Sequence, residues 1–275
     1  MTRRETTTED DFDRLLDYVE RRLDFATSHY EPKHLERRIV SRLRRKGLET
    51  DEFGPYLEIL REDETERAAL LDALSVNVTS FFRDQDVWER LRPILRDLTD
   101  DLSGADVWSA PCSDGREPYS LAMLARDDPD VRASRIDILG TDIDEAVLAT
   151  ARTGVYESSE TEDLSGQLDL LEDYSQYIDR EGDRYVIRDR VRDMVSFERH
   201  DLINGSAKDG FDLVFCRNFF IYVGSEYKQP VLETLEASLR AGGYLVLGKT
   251  ETMPYDLKGN VFEPVDNDCR IYRKR

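Results

Sequence analysis

Lysine is scarce in this 275-residue chain, supplying only seven of 39 basic residues. Histidine and cysteine number three each. Cys112, Cys216 and Cys269 form no CxxC pair, and His29, His34 and His200 have no ligand spacing. Neither a metal site nor a disulfide framework is therefore expected, and each cysteine reads as a small core residue. No apolar run approaches the roughly 20 residues needed to span a bilayer, so membrane insertion is not expected. The opening MTRRETTTEDD lacks the apolar stretch of a signal peptide and reads as a polar tail over residues 1–9. The expected location is cytoplasmic. Long Gly/Ser/Pro linkers, repeats and a GxGxxG loop are also missing.

Acid is present in excess: 59 Asp and Glu against 39 Lys and Arg give a net charge of −20. That sign disfavours nonspecific binding to nucleic acid or anionic lipid. Salt screens such self-repulsion over about 8 Å at 0.15 M and about 3 Å at 1 M. Acid-rich, lysine-poor usage is typical of proteins from salt-accumulating cells, and the composition reads as halophilic. Hydrophobic residues at 39% and aromatics at 9% are ample for a core and exclude wholesale disorder.

The pattern changes near residue 103. Before it the periodicity is helical: Phe12, Leu15, Leu16, Val19 and Leu23 share a face, and Leu35, Ile39 and Leu43 share another between Pro32 and Gly47. Further helices are expected over 52–61, 63–75 and 84–98. The reading is an all-α domain over 10–83, a connecting helix over 84–102 and an α/β domain over 103–275. In the latter, strand-like Ala105–Ala110, Arg135–Thr141, Val195–Glu198, Phe211–Cys216 and Gly243–Gly248 alternate with helical 117–126, 144–152 and 226–240. This alternation predicts a doubly wound, mostly parallel sheet. Val261–Val265 and Cys269–Tyr272, separated by Asp-Asn-Asp, predict an antiparallel hairpin at the end. The whole plan resembles class I S-adenosylmethionine (SAM) methyltransferases. Residues 174–194 read as a small inserted β-hairpin.

Two loops point to a nucleoside-containing ligand. The first strand runs into SAPCSDGREPYS (109–120) and a helix, and the second ends in GTDID (140–144). Ligands of doubly wound folds bind beyond the carboxyl ends of the strands, and an acid there accepts hydrogen bonds from ribose hydroxyls. Asp142 is the candidate, since Asp144 can cap the next helix. These loops do not separate SAM from NAD. FDLVFCRN (211–218) places Arg217 and Asn218 just past a buried strand, with Tyr222 beyond them, and NVTSFFRD (77–84) offers Asn77, Thr79 and Arg83 around two aromatics.

NVTSFFRD, VWSAPCSDGREPYSLAM, GTDID and FDLVFCRNFFIY, in this order and at these separations, are similar to CheR-type chemotaxis receptor methyltransferases. The resemblance runs from about residue 10 to 273 and implies a SAM-dependent protein-glutamate O-methyltransferase, acting as a monomer on the cytoplasmic helical bundle of chemoreceptors. It implies cofactor contacts from Asn77, Thr79, Arg83, Glu117, Asp142, Asp201, Leu202, Arg217 and Asn218, and catalytic roles for Arg83 and Tyr222. Two positions depart from the family pattern: Arg116 replaces an acid, and Asp201 replaces an asparagine. The basic run RRIVSRLRRK (37–46) places Arg38, Arg42 and Arg45 on one helix face with Arg37 and Arg44 further round. The resemblance makes these five arginines a docking surface for acidic receptor helices. The insert, with its tight Arg-Glu-Gly-Asp turn, favours an enzyme that works without a tethering receptor-tail peptide. Two other readings stand beside this one: a SAM-sensing protein without transfer, and a methyltransferase of small molecules or RNA. The dedicated arginine-bearing domain and the overall acidity argue against the latter.

Overall fold

The computed structural model describes residues 3–23, 25–74, 79–100, 104–159, 162–254 and 256–275. The chain divides into two compact units, one of Met1–Asn77 with Tyr222–Tyr227, the other of Val78–Ile221 with Lys228–Arg275.

The first unit holds α1 (Arg3–Leu23), α2 (Pro32–Arg45), α3 (Phe53–Glu62) and α4 (Glu64–Leu74). Proline at the first helical position of α2 costs no hydrogen bond, because that N–H has no intrahelical partner anyway. Gly47 closes the helix in the left-handed region (φ +76°), where Leu48 N–H reaches the Leu43 carbonyl at 3.0 Å. Asp63 caps α4 by accepting from the Glu66 N–H at 3.0 Å. The apolar faces meet in one core: Leu15 and Val19, Leu35, Ile39 and Leu43, Phe53, Tyr56 and Leu60, Leu70 and Leu74. Each such side chain contributes about 1.5–3 kcal/mol on full burial. Tyr222–Tyr227 joins this unit through a short antiparallel contact. Glu31 N–H donates to the Tyr222 carbonyl, and Gly224 N–H to the His29 carbonyl, both at 3.0 Å.

The second unit starts with α5 (Gln85–Asp100), followed by β1 (Ala105–Ser109), α6 (Arg116–Asp127), β2 (Ile136–Asp142), α7 (Glu145–Thr153), β3 (Val155–Glu157), α8 (Leu164–Gln167), β4 (Ile178–Glu181) and β5 (Arg184–Ile187). Then come α9 (Asp189–Arg192), β6 (Val195–Arg199), β7 (Phe211–Cys216), α10 (Ser225–Ser238), β8 (Leu239–Leu247), β9 (Phe262–Asp266) and β10 (Ile271–Lys274). The main sheet has the order β6-β2-β1-β7-β8-β10-β9. Its first five strands are parallel, and β10 pairs antiparallel with both β8 and β9. The order reverses between β1 and β7, in register at Val107 with Leu213 and Ser109 with Phe215, and this switch point is where such sheets take ligands. Successive strand residues face opposite sides. Val107 and Phe215 pack with Trp88, Leu91 and Tyr119 under α5 and α6, while Trp108 and Val214 pack with Val231 and Leu235 of α10.

Three details differ from the sequence reading. The inserted hairpin is present as β4 and β5, but β3 joins it, pairing Val155 with Val186 and Glu157 with Arg184, to make a three-stranded sheet. The helix expected to reach residue 240 ends at Ser238 and passes directly into β8, which is longer than expected. In the final hairpin Asp266 Oδ1 accepts from the N–H groups of Asp268 and Cys269, and Arg270 sits at φ +55°, so β10 starts two residues late.

Candidate active site

The loop from β1 to α6 is bound to the end of β2. Cys112 N–H donates to the Thr141 carbonyl and Ser113 N–H to Asp142 Oδ2, both at 2.8 Å. Gly115, at φ +90°, caps α6, and a Cβ there would lie 2.7 Å from that of Ala151. Only glycine serves both demands. Asp142 is buried, its other oxygen accepting from Asp144 N–H at 3.0 Å, and burial pushes its carboxyl up to about 6. Asp144 caps α7 through the Ala146 N–H, as expected. Ser113 Oγ is buried with no partner.

At the switch point Arg217 is 1% exposed and clasps three groups. Its terminal nitrogens donate to Glu117 Oε2 at 3.2 Å, Asp84 Oδ2 at 2.7 Å and the Arg83 carbonyl at 2.9 Å. The guanidinium also lies 5.8 Å from the Trp88 ring centroid, and Trp88 Nε1 donates to the same Arg83 carbonyl at 2.8 Å. Ser109 Oγ holds the second Glu117 oxygen at 2.9 Å. Burial nevertheless raises the Glu117 carboxyl above its ordinary value, with Arg217 and Ser109 opposing. Asn218, at φ +59°, donates its N–H to Glu251 Oε2 at 3.1 Å, and Phe220 N–H reaches Oε1 at 2.7 Å. Glu251 is itself buried, which raises its carboxyl.

Backbone strain gathers here. Five described non-glycine residues have positive φ, and Phe82, Asp84, Ser113 and Asn218 belong to the segments just named. Such conformations cost about 1–3 kcal/mol each and persist where surroundings over-determine them. Phe82 and Asp84 flank half-buried Arg83, so its side chain projects from a turn fixed on both sides.

The other expected residues are placed as follows. The Thr79 carbonyl accepts from Arg116 Nη1 at 3.2 Å, and Asn77 lies outside the described residues. Asp201 closes its own turn: Oδ1 accepts from Ile203 and Asn204 N–H at 2.9 and 3.1 Å, and Oδ2 from the Asn204 amide at 2.8 Å. Leu202 is buried in the core that holds Trp108, while His200, whose ring meets Trp108, has a buried Nε2 without a partner. All three cysteines are free and buried. Among the described residues no cluster could hold a metal, and no helix is long and apolar enough to cross a membrane.

In the helical unit Tyr222 packs on the His34 ring at 4.7 Å. Burial, with Arg38 and Arg37 alongside, pushes that imidazole down to about 4, so it is neutral at pH 7. Arg37, Arg44 and Arg45 are exposed and Arg38 is half-buried. Arg42, expected on the docking face, is instead bidentate to buried Glu66, with Nε at 2.9 Å and Nη2 at 2.7 Å.

The sequence reading missed Asp84, Glu162 and Glu251, which hold the site in place. Asp84 is the last residue of the NVTSFFRD segment. Glu251 follows an apolar strand, as Arg217 does, and that shared position was the available signal.

A parallel sheet closed by an antiparallel hairpin, with a buried acid ending its second strand at the side of the switch point, defines a class I SAM-dependent methyltransferase. The site fits that donor, with an orphaned Ser113 hydroxyl and the Asp142 carboxylate standing together beyond β1 and β2. Residues 10–75 match the CheR methyltransferase all-alpha domain, and residues 77–269 match the CheR methyltransferase SAM binding domain. The chain belongs to the CheR chemotaxis methyltransferase family. It is 37% identical to a chemotaxis protein methyltransferase of Listeria monocytogenes over 235 residues, covering 85% of this chain and 86% of the relative. The chemotaxis protein methyltransferase of Escherichia coli is 31% identical, with 93% and 88% covered. That of Salmonella typhimurium is 30% identical, with 98% and 94% covered.

Proposed function

We propose that this chain methylates glutamate side chains on the cytoplasmic helical bundle of chemoreceptors, as the adaptation enzyme of a chemotaxis system. The observation carrying this reading is the match to both CheR domains over residues 10–75 and 77–269. Bound SAM supplies an electrophilic methyl group. A substrate glutamate, with an ordinary pKa near 4.3, is already ionised at pH 7 and needs no general base. The protein's task is then alignment, which lowers barriers by about 7–11 kcal/mol in favourable cases.

In this reading Asp142 accepts from the ribose hydroxyls, and Asp201 and Leu202 also contact the donor. Asn77, Thr79, Glu117 and Asn218 contact the remainder of the donor. Arg217, with its terminal nitrogens engaged by Glu117, Asp84 and the Arg83 carbonyl, acts by fixing Glu117 and the Arg83 turn. Arg83 holds the substrate carboxylate by charge-assisted hydrogen bonds, and Tyr222 orients the carboxylate or the sulfonium. Arg37, Arg38, Arg44 and Arg45 meet the acidic receptor helix, while Arg42 braces α2 through Glu66. Each methyl ester removes one negative charge from that helix and eases repulsion within the bundle.

The test is transfer of labelled methyl from SAM to purified receptor cytoplasmic fragments in molar KCl, a salt chosen to screen the net charge of −20. Base-labile label on receptor glutamates is expected. SAM binding without label on any receptor fragment would replace this reading with that of a SAM-sensing protein.

A further inference from the structure

Arg116 stands at the first position of α6, where a cation opposes the helix dipole and gains nothing from it. Its guanidinium is nevertheless buried, and its surroundings explain why. Nη1 donates to the Thr79 carbonyl at 3.2 Å and pairs with Glu162 Oε1. Nε lies 3.2 Å from Asp114 Oδ2 without hydrogen-bond alignment. The rings of Tyr156 and Phe81 face the same group at 5.3 and 5.9 Å. Three segments far apart in sequence thus converge on one cation: the Thr79–Arg83 turn, the β1–α6 loop and the insert that carries Tyr156 and Glu162.

Two further bonds run parallel to it. Tyr156 donates its hydroxyl to the Asp114 carbonyl at 2.7 Å, and Phe81 N–H donates to Gln167 Oε1 at 2.9 Å. Arg116 is the cation shared by Asp114 and Glu162; an acid at 116 would leave three carboxylates together with no cation among these contacts. A planar fork also suits this chamber better than an ammonium, since it reaches a carbonyl and a carboxylate while lying against two rings.

We propose that Arg116 is a positioning residue for the SAM site: with Glu162 it latches the three-stranded insert to the Thr79–Arg83 turn and so sets affinity for the methyl donor. The inference rests on the methyltransferase reading above. It assigns to the insert a part in holding the donor loops, and it makes positions 116 and 162 a matched pair that changes sign together.

The experiment is calorimetric titration of SAM into full-length wild type, Arg116→Glu, Glu162→Arg, the double exchange and Arg116→Lys, with thermal unfolding of each. Arg116→Glu should weaken SAM by about tenfold or more, and the double exchange, which restores the ion pair but leaves no donor at 116 for the Thr79 carbonyl, should recover part of that loss, the signature of a coupled pair. Arg116→Lys, which keeps the charge and loses the fork, should fall between. In methyl transfer the single variants should raise KM for SAM by more than they lower kcat at saturating SAM, since Arg83 lies on the turn that the latch holds. Should Arg116→Glu fail to fold, Arg116→Lys carries the test through the same KM-against-kcat split. Wild-type affinity in both Arg116 variants, or a double exchange no tighter than the weaker single variant, overturns the latch alone. A wild type that binds no SAM overturns the latch and the methyltransferase reading together.

Discussion

Glu66 in the helical unit and Glu117 in the sheet unit are each grasped by an arginine and a hydroxyl, yet their carboxyls move in opposite directions. Burial pushes both upward. Glu66 takes four donors, Arg42 Nε and the Tyr56 hydroxyl on one oxygen and Arg42 Nη2 and Lys46 Nζ on the other, and these outweigh burial and hold it below its ordinary value. Glu117 takes two described donors, Arg217 and Ser109, and burial prevails. A carboxylate offers about four acceptor positions. Glu66 has filled them and serves the fold; Glu117 keeps capacity for a ligand.

The largest effect that would break this comparison is on stability. Arg217→Ala strands the buried Glu117 carboxylate and should cost about 3–5 kcal/mol in urea unfolding, with loss of measurable SAM binding. Glu66→Gln should cost less, about 1–2 kcal/mol, because the amide oxygen still accepts from Arg42 and Tyr56, and Lys46, 31% exposed, can turn to water. SAM affinity should be unchanged in that variant; equal losses of affinity in the two would remove the distinction.

A smaller effect is expected from pH, with opposite signs in the two units. Asp142, raised to about 6, contributes stability present below the ordinary carboxylate range and lost as pH rises through about 6. Glu66, lowered, contributes stability present above its ordinary value and lost as pH falls through its depressed one. In the role proposed for Asp142 its carboxylate accepts from the ribose hydroxyls only when ionised, so SAM affinity should fall about tenfold between pH 7 and pH 5, and Asp142→Asn should flatten that profile. An unchanged profile in Asp142→Asn would assign the pH dependence elsewhere.

The smallest effect concerns exposed charge. Arg44→Gln with Arg45→Gln should lower kcat/KM for receptor fragments about two- to fivefold near 0.1 M salt and leave it unaltered at 1 M. A loss that survives molar salt would point to contact hydrogen bonds in place of steering.

What could be read from the sequence was local. The helical stripes Leu35-Ile39-Leu43 and Leu15-Val19 found their core because 3.6-residue spacing and burial are the same fact seen twice. Asp142 and Arg217 were legible because each stands at the end of an apolar strand. Partners distant in the chain were not. Arg42 looks like a free flank residue until Glu66, 24 residues on, takes its guanidinium, and Arg116 looks like a defect in an acidic loop until Glu162, 46 residues on, supplies the missing charge. Strand β3 has three residues and no pattern of its own; only pairing with β5 makes it a strand. The insert therefore read as a hairpin.

The three buried thiols carry a practical consequence. Cys112 lies in the β1–α6 loop and Cys216 ends β7, so two of them sit at the carboxyl ends of the central strands. Burial raises all three thiols, so each is protonated as well as hidden. An alkylating reagent can reach them only when the chain opens, and its rate of uptake becomes a clock for that opening. Cys269, in the turn between β9 and β10, keeps time for the far end of the same sheet. One reagent thus compares the breathing of the middle of the sheet with that of its β9–β10 edge.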